Sequence, residues 1–154
     1  MRRRGFPLGE TLLAELSQNG HSMHALSNYS PWYRLIEDGA VRILQPDLSK
    51  SGGITEGLRI AALAAAAKLP IHPHSSMTGL NHAATIHFLA AIGNGGYFEG
   101  DVSRANRFRD ELVDNPGGID AGGCVWPLEK PGLGLEVDER FIERHPPIEG
   151  PGYI

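Results

Sequence analysis

The chain has 154 residues, 41% hydrophobic and 21% charged, a balance that suits one soluble globular domain with a buried core and excludes a disordered chain. A formal net charge of -4, with no basic run longer than Arg2-Arg3-Arg4, excludes an electrostatic footprint for nucleic acid and leaves a small acidic or neutral molecule as the expected partner. The arginines precede no apolar core of signal-peptide length, no stretch approaches the roughly eighteen apolar residues of a membrane helix, and the single cysteine, Cys124, has no internal disulfide partner. A cytoplasmic location is therefore expected, with no membrane contact.

Glycines and prolines punctuate short apolar runs, as they do where strands and helices alternate. Ser30-Pro31 reads as an N-cap with proline at the first helical position, and Trp32, Leu35 and Ile36 share a face before Gly39 ends the helix. Val41 to Gln45 is a brief β-favouring run closed by Pro46. From Ile54, the positions Leu58, Ala61, Ala62 and Ala65 recur at helical spacing, with Thr55 as the expected cap and Lys68 at the end. Leu69 to His72 then reads as a second strand, Gly79 to Ile92 as a helix stopped by Gly93-Asn94, and Tyr97-Phe98-Glu99 as a third strand. This alternation with short connections implies an α/β fold with a parallel sheet, either doubly wound or part of a (β/α)8 barrel. Residues 1–105 carry the pattern; residues 106–154 form a tail of the same domain, irregular except for one helical candidate from Asp138 to Glu143.

Asp47, His74 and Glu99 each stand just past the C-terminal end of an expected strand, where ligands bind in parallel α/β folds. An aspartate bonded to one imidazole nitrogen fixes the tautomer and raises the basicity of the other, so Asp47 and His74 would form an acid/base pair with Glu99 as a second acid. Each also has a plainer reading: Asp47 capping the turn into Gly52-Gly53, His74 bonding within its loop, and Glu99 solvated. His72-Pro73-His74 supports a rival reading, a hydrolytic zinc site completed by His82 or His87. Glu15 to Ser30 reads as a solvated loop or a lid containing His21 and His24.

The segment Gln45-Pro46-Asp47-Leu48-Ser49-Lys50-Ser51-Gly52-Gly53-Ile54-Thr55-Glu56 closely resembles the mandelate racemase/muconate lactonising enzyme group of the enolase superfamily, in which the aspartate precedes Gly-Gly by the same interval. The resemblance continues through Pro73-His74-Ser75-Ser76, Tyr97-Phe98-Glu99 and the Pro131-Gly132-Leu133-Gly134 turn, and covers most of the chain from Phe6. It implies a partial (β/α)8 TIM barrel, from the end of strand five through strand eight, plus the C-terminal irregular tail. Asp47, His74 and Glu99 would end strands six, seven and eight, and Gly9-Glu10 would end strand five, making Glu10 a carboxylate ligand of Mg2+.

The implied activity is that of a Mg2+-dependent lyase or racemase abstracting the α-proton of a carboxylate, most naturally a sugar-acid (hydroxy-acid) dehydratase. His74, oriented by Asp47, would move the proton, and a protonated Glu99 would bond the substrate carboxylate. By the same resemblance, two further metal carboxylates and a Lys-x-Lys strand are missing, so this chain alone is expected to be inactive. The expected partners are a second copy of the chain, by self-association, or a chain that supplies the missing half-barrel. The alternatives are a non-catalytic truncated product, one half of a split enzyme and, less favoured, the zinc hydrolase.

Overall fold

Alternating short extended segments and helices build the observed architecture, which the computed structural model describes for residues 18–20, 24–25, 36–37, 39, 41–115 and 117–150. Two strands pair in parallel: β1 (His24–Ala25) lies beside β2 (Ile43–Leu44), His24 opposite Ile43 and Ala25 opposite Leu44. Leu44 then bridges Ile71, and Ile71 bridges Gly95, both in parallel. Leu44 N donates to Pro70 O at 3.1 Å and His72 N to Leu44 O at 3.0 Å, the slanted pattern of a parallel ladder. The same pattern continues with Ile71 N to Asn94 O at 2.9 Å and Gly96 N to Ile71 O at 2.8 Å.

Three expectations change here. The segment read as a loop between Glu15 and Ser30 contributes β1, because pairing with the buried edge of β2 satisfies backbone groups that periodicity alone does not reveal. The strand expected over Leu69–His72 is reduced to a bridge at Ile71. The third extended segment pairs at Gly95 and not over Tyr97–Glu99. Gly95-Gly96 lets the backbone approach where a side chain would not fit: a Cβ on Gly96 would fall on the His72 ring. Tyr97, two residues on, is 81% exposed. The strand expected to end at Gly9-Glu10, and most of the helix expected from Ser30, lie outside the described residues.

Between β2 and Ile71 run α1 (Leu48–Ser51) and α2 (Gly53–Ala66). Gly52 and Gly53 have φ of 110° and 80°, a left-handed pair that ends one helix and starts the other, which is why the sequence carries Gly-Gly there. The cap of α2 is Gly52, so Thr55 sits inside the first turn and is not the cap. Gly57, Ile60, Ala61 and Ala64 recur at helical spacing and are buried. At Gly57 a Cβ would come within 2.6 Å of Leu48 and 3.2 Å of Phe88, so the missing side chain sets how closely α2 approaches its neighbours. The end of α2 is a Schellman turn: Lys68 N donates to Ala65 O at 3.0 Å and Leu69 N to Ala64 O at 2.8 Å, with Lys68 at φ 58°.

Helix α3 (Gly79–Ala91) opens on Thr78, whose hydroxyl accepts from Asn81 N at 3.1 Å. It packs Phe88 against Leu44, Leu48, Ile60 and Ile71 in the main core. Each such fully buried side chain contributes about 1.5–3 kcal/mol. Asn94 closes the far end of this layer, its amide donating to Ala61 O and Leu69 O at 3.1 and 3.0 Å.

The tail is docked on a second cluster. Short helices α4 (Arg107–Asp110) and α5 (Glu139–Glu143) flank buried Leu112, Val113 and Phe141, which pack with Leu80 of α3 and with Leu135. Val113 and Val137 form an antiparallel bridge. Helix α5 falls within the candidate expected from Asp138 to Glu143, with Asp138 at the N-cap position but no side-chain capping bond, whereas α4 is not among the expected elements. Among the described residues, no helix is long and apolar enough to cross a membrane.

Candidate active site

Asp47 directly follows the β2 segment and caps α1, which places its carboxylate at the C-terminal end of the sheet with no exposure. A buried carboxylate must have its lone pairs satisfied, and this one does. Oδ1 accepts from Ser49 N at 2.9 Å, Ser49 Oγ at 2.6 Å and Asn81 Nδ2 at 3.2 Å. Oδ2 lies 2.9 Å from Nδ1 of His74, and Lys50 Nζ lies 3.9 Å from the same oxygen. Burial pushes the Asp47 carboxyl up, but the bonds from Ser49 and His74 outweigh it and hold the group below its usual 3.8. It is an anion at neutral pH.

Because an ionised carboxylate only accepts, neutral His74 carries its proton on Nδ1 and turns a bare Nε2 outward. The His74 side chain is 19% exposed, so the ring is partly open to a small molecule. Ser76 Oγ is 3.4 Å from it. An oriented, partly open imidazole is equipped to take up and return a proton.

The structure thus brings Asp47 and His74 together. Glu99 is exposed and makes no hydrogen bond or ion pair with either of them among the described residues. Glu10 lies outside the described residues.

Asn81 is the site residue that sequence reasoning missed. It is 5% exposed and holds Asp47 from α3, and its one signal in the sequence is a polar residue three places after the capping Thr78.

The zinc arrangement is not formed. His82 Nε2 bonds Ser75 O at 3.2 Å, and burial lowers its pKa against that bond, which favours a neutral structural imidazole. His87 Nε2 bonds Leu133 O at 3.2 Å in the tail, while His72 packs edge-on to Tyr97. Helix α3 therefore turns its two histidines to separate backbone carbonyls. Among the described residues no three His, Cys, Asp or Glu converge to hold a metal ion. The same observation bears on Mg2+, which needs several oxygen ligands in near-octahedral array. Asp47, its oxygens enclosed by donors, offers none, and the described residues do not fit that ion.

Comparison with known proteins gives these residues a context. Residues 23–141 match the family described as enolase C-terminal domain-like, a span that includes Asp47, His74 and Glu99 and leaves Gly9-Glu10 outside. The D-galactonate dehydratase of Cronobacter sakazakii is 39% identical over 113 residues, 71% of this chain and 30% of that enzyme. That of Klebsiella pneumoniae is 38% identical over 110 residues, 69% of this chain and 29% of the enzyme. This chain therefore spans about 30% of the length of the curated relatives it matches.

Among solved structures, an enolase-superfamily member from Polaromonas sp. JS666 superposes with a TM-score of 0.84 at 49% identity, over 94% of this chain and 39% of that one. A mandelate racemase/muconate lactonizing enzyme-like protein from Rubrobacter xylanophilus gives a TM-score of 0.77 at 30% identity, over 94% and 37% of the two chains. With the parallel ladder and the aspartate–histidine pair at its end, this match makes the chain a member of the enolase superfamily, of the mandelate racemase/muconate lactonising type.

Proposed function

We propose that this chain carries the proton-transfer part of an enzyme that acts on the α-carbon of a sugar-acid or hydroxy-acid carboxylate, as a dehydratase or a racemase. The observation that carries the reading is the 2.9 Å contact between His74 Nδ1 and the fully buried Asp47 carboxylate, in a His74 side chain that stays 19% exposed. The similarity to D-galactonate dehydratases supports dehydration of a sugar acid as the overall reaction.

In that reaction His74 Nε2 takes the α-proton and Asp47 stabilises the resulting imidazolium. The C–H electrons move toward the carboxylate to give an enediolate. The β-hydroxyl then leaves as water with the proton returned by the His74 imidazolium, and the enol that remains tautomerises to a 2-keto-3-deoxy acid. Glu99 bonds the substrate carboxylate in this proposal, lying past Gly95 as His74 lies past Ile71. The resemblance assigns charge stabilisation of the enediolate to Mg2+, with Glu10 among its ligands; among the described residues no such set converges, and the role read from those residues is holding and moving the proton. The remainder of the barrel comes from another polypeptide segment, whether a longer chain or a partner.

The test is exchange of the C2 proton of D-galactonate with solvent deuterium, followed by proton NMR in the completed enzyme. His74→Asn should abolish exchange while leaving the unfolding midpoint nearly unchanged. Exchange retained in that variant refutes the assignment.

A further inference from the structure

The last backbone hydrogen bond between the segment bearing His74 and the segment bearing Glu99, among the described residues, is Gly96 N to Ile71 O. His74 and Glu99 each lie three residues beyond that bond, where no ladder holds one loop against the other. Side chains must then set their relation. Ring packing of His72 on Tyr97 and of His82 on Phe98 contributes, and one amide ties the two loops by hydrogen bonds: Asn106 Nδ2 lies 3.2 Å from Ser76 O, 3.1 Å from Met77 O and 2.7 Å from Asp101 Oδ2. Two hydrogens serve three acceptors, so one is shared. Ser76 and Met77 follow His74 by two and three residues, and Asp101 follows Glu99 by two.

The Asp101 end of this bracket is itself fixed. Its carboxylate receives Ser103 N at 2.8 Å and Ser103 Oγ at 3.0 Å, and Arg109 donates to its carbonyl at 2.6 Å with Oδ2 at 3.5 Å. The Asp101 and Arg109 side chains are only 10% and 15% exposed, so the junction is enclosed. Desolvation opposes ionisation of Asp101, but the bonds from Asn106 and Ser103 hold its pKa at about 2. Through Ser76, whose hydroxyl is 3.4 Å from His74 Nε2, the bracket reaches the nitrogen that would carry the proton.

We infer that Asn106 is a positioning residue, which registers the loop after His74 against the loop after Glu99 and so sets the distance between the base and the second acid. The inference rests on the proposed proton-transfer role of these two residues. Asn106 touches neither, and acts through Ser76, Met77 and Asp101.

Asn106 also caps α4, its Oδ1 accepting from Arg109 N at 3.1 Å, so the variants must separate cap from bracket. Asn106→Ser keeps a good capping oxygen but lacks the reach and the amide donors. Asn106→Asp keeps shape and cap while turning an acceptor toward two carbonyls and a carboxylate.

Limited chymotrypsin cleavage of the full chain reads both loops at once, because Met77 lies in one and Phe98 in the other, while Phe108 lies in α4. Local opening should rise in both variants, with cleavage at Met77 and Phe98 about ten-fold faster and cleavage at Phe108 unchanged. Unchanged cleavage at Met77 or Phe98, or a rise confined to Phe108, overturns the inference. In the completed enzyme, D-galactonate exchange should lose about ten-fold in kcat with KM almost unaltered, since misplacement affects the reacting geometry more than binding. An unaltered kcat also overturns it. A wild-type enzyme that neither exchanges the α-proton nor dehydrates D-galactonate refutes the proposed function instead, and the cleavage rates still decide whether the bracket exists.

Discussion

Replacing Asp47 by asparagine removes one charge and one acceptor from a buried site in which both oxygens accept hydrogen bonds. Four donors meet its two oxygens within 3.2 Å: Ser49 N, Ser49 Oγ, Asn81 Nδ2 and His74 Nδ1. The amide oxygen of the variant can keep the three donors at Oδ1 only if its NH2 turns toward His74. Nδ1 must then accept, and the proton moves to Nε2, the nitrogen that the proposed function uses as a base. Charge-assisted bonds are about twice as strong as neutral ones, so weakening three and inverting the fourth should cost about 2–3 kcal/mol. Loss of the correct tautomer should slow α-proton exchange about 100- to 10,000-fold.

The stability difference has a definite pH dependence. The folded-state pKa of Asp47 lies below the ordinary 3.8, so its contribution is fully present above that value and fades as pH falls through the lowered one. Urea unfolding should therefore separate wild type from Asp47→Asn at pH 7, and the difference should shrink progressively as pH falls below 3.8. Imidazole nitrogen shifts of His74 should report Nδ1–H in the wild type and Nε2–H in the variant. Retention of Nδ1–H in the variant, or a difference that widens in acid, would refute this account of the pair.

Two backbone predictions follow from the packing of α2. Gly57→Ala forces a methyl to within 2.6 Å of Leu48, and thermal unfolding should show a loss of about 1–3 kcal/mol. Lys68→Gly relieves a non-glycine residue at φ 58° in the Schellman turn, and the same assay should show a gain of about 1 kcal/mol.

Much of the candidate site was legible along the chain because its parts are local. The Asp47-to-Gly52-Gly53 interval encodes a strand end, a cap and a left-handed turn within a few residues, and the structure contains all three. Helices α2 and α3 were readable from apolar spacing, and α5 from Asp138, although the cap of α2 moved from Thr55 to Gly52. Strands were read poorly. A strand of one or two residues has no periodicity, and its existence depends on a partner elsewhere, as for β1, Ile71 and Gly95.

Histidine chemistry divides along the same line. Residue type and a strand-end position were enough to nominate Asp47 and His74, and the resemblance of the surrounding motif supplied the family. Whether an imidazole faces a carboxylate or a carbonyl depends on groups distant in sequence: His74 meets Asp47 across 27 residues, and His87 meets Leu133 across 46. The roles of Asn81 and Asn106 were not legible for that reason, since Asn81 aims its amide at Asp47 across 34 residues and Asn106 at Ser76 O across 30. Local turn chemistry and helix periodicity were thus determined by the sequence itself. The convergence of donors on Asp47, and of two loops on Asn106, was decided by tertiary packing, because hydrogen bonds over 25 or more residues require the intervening chain to be folded first.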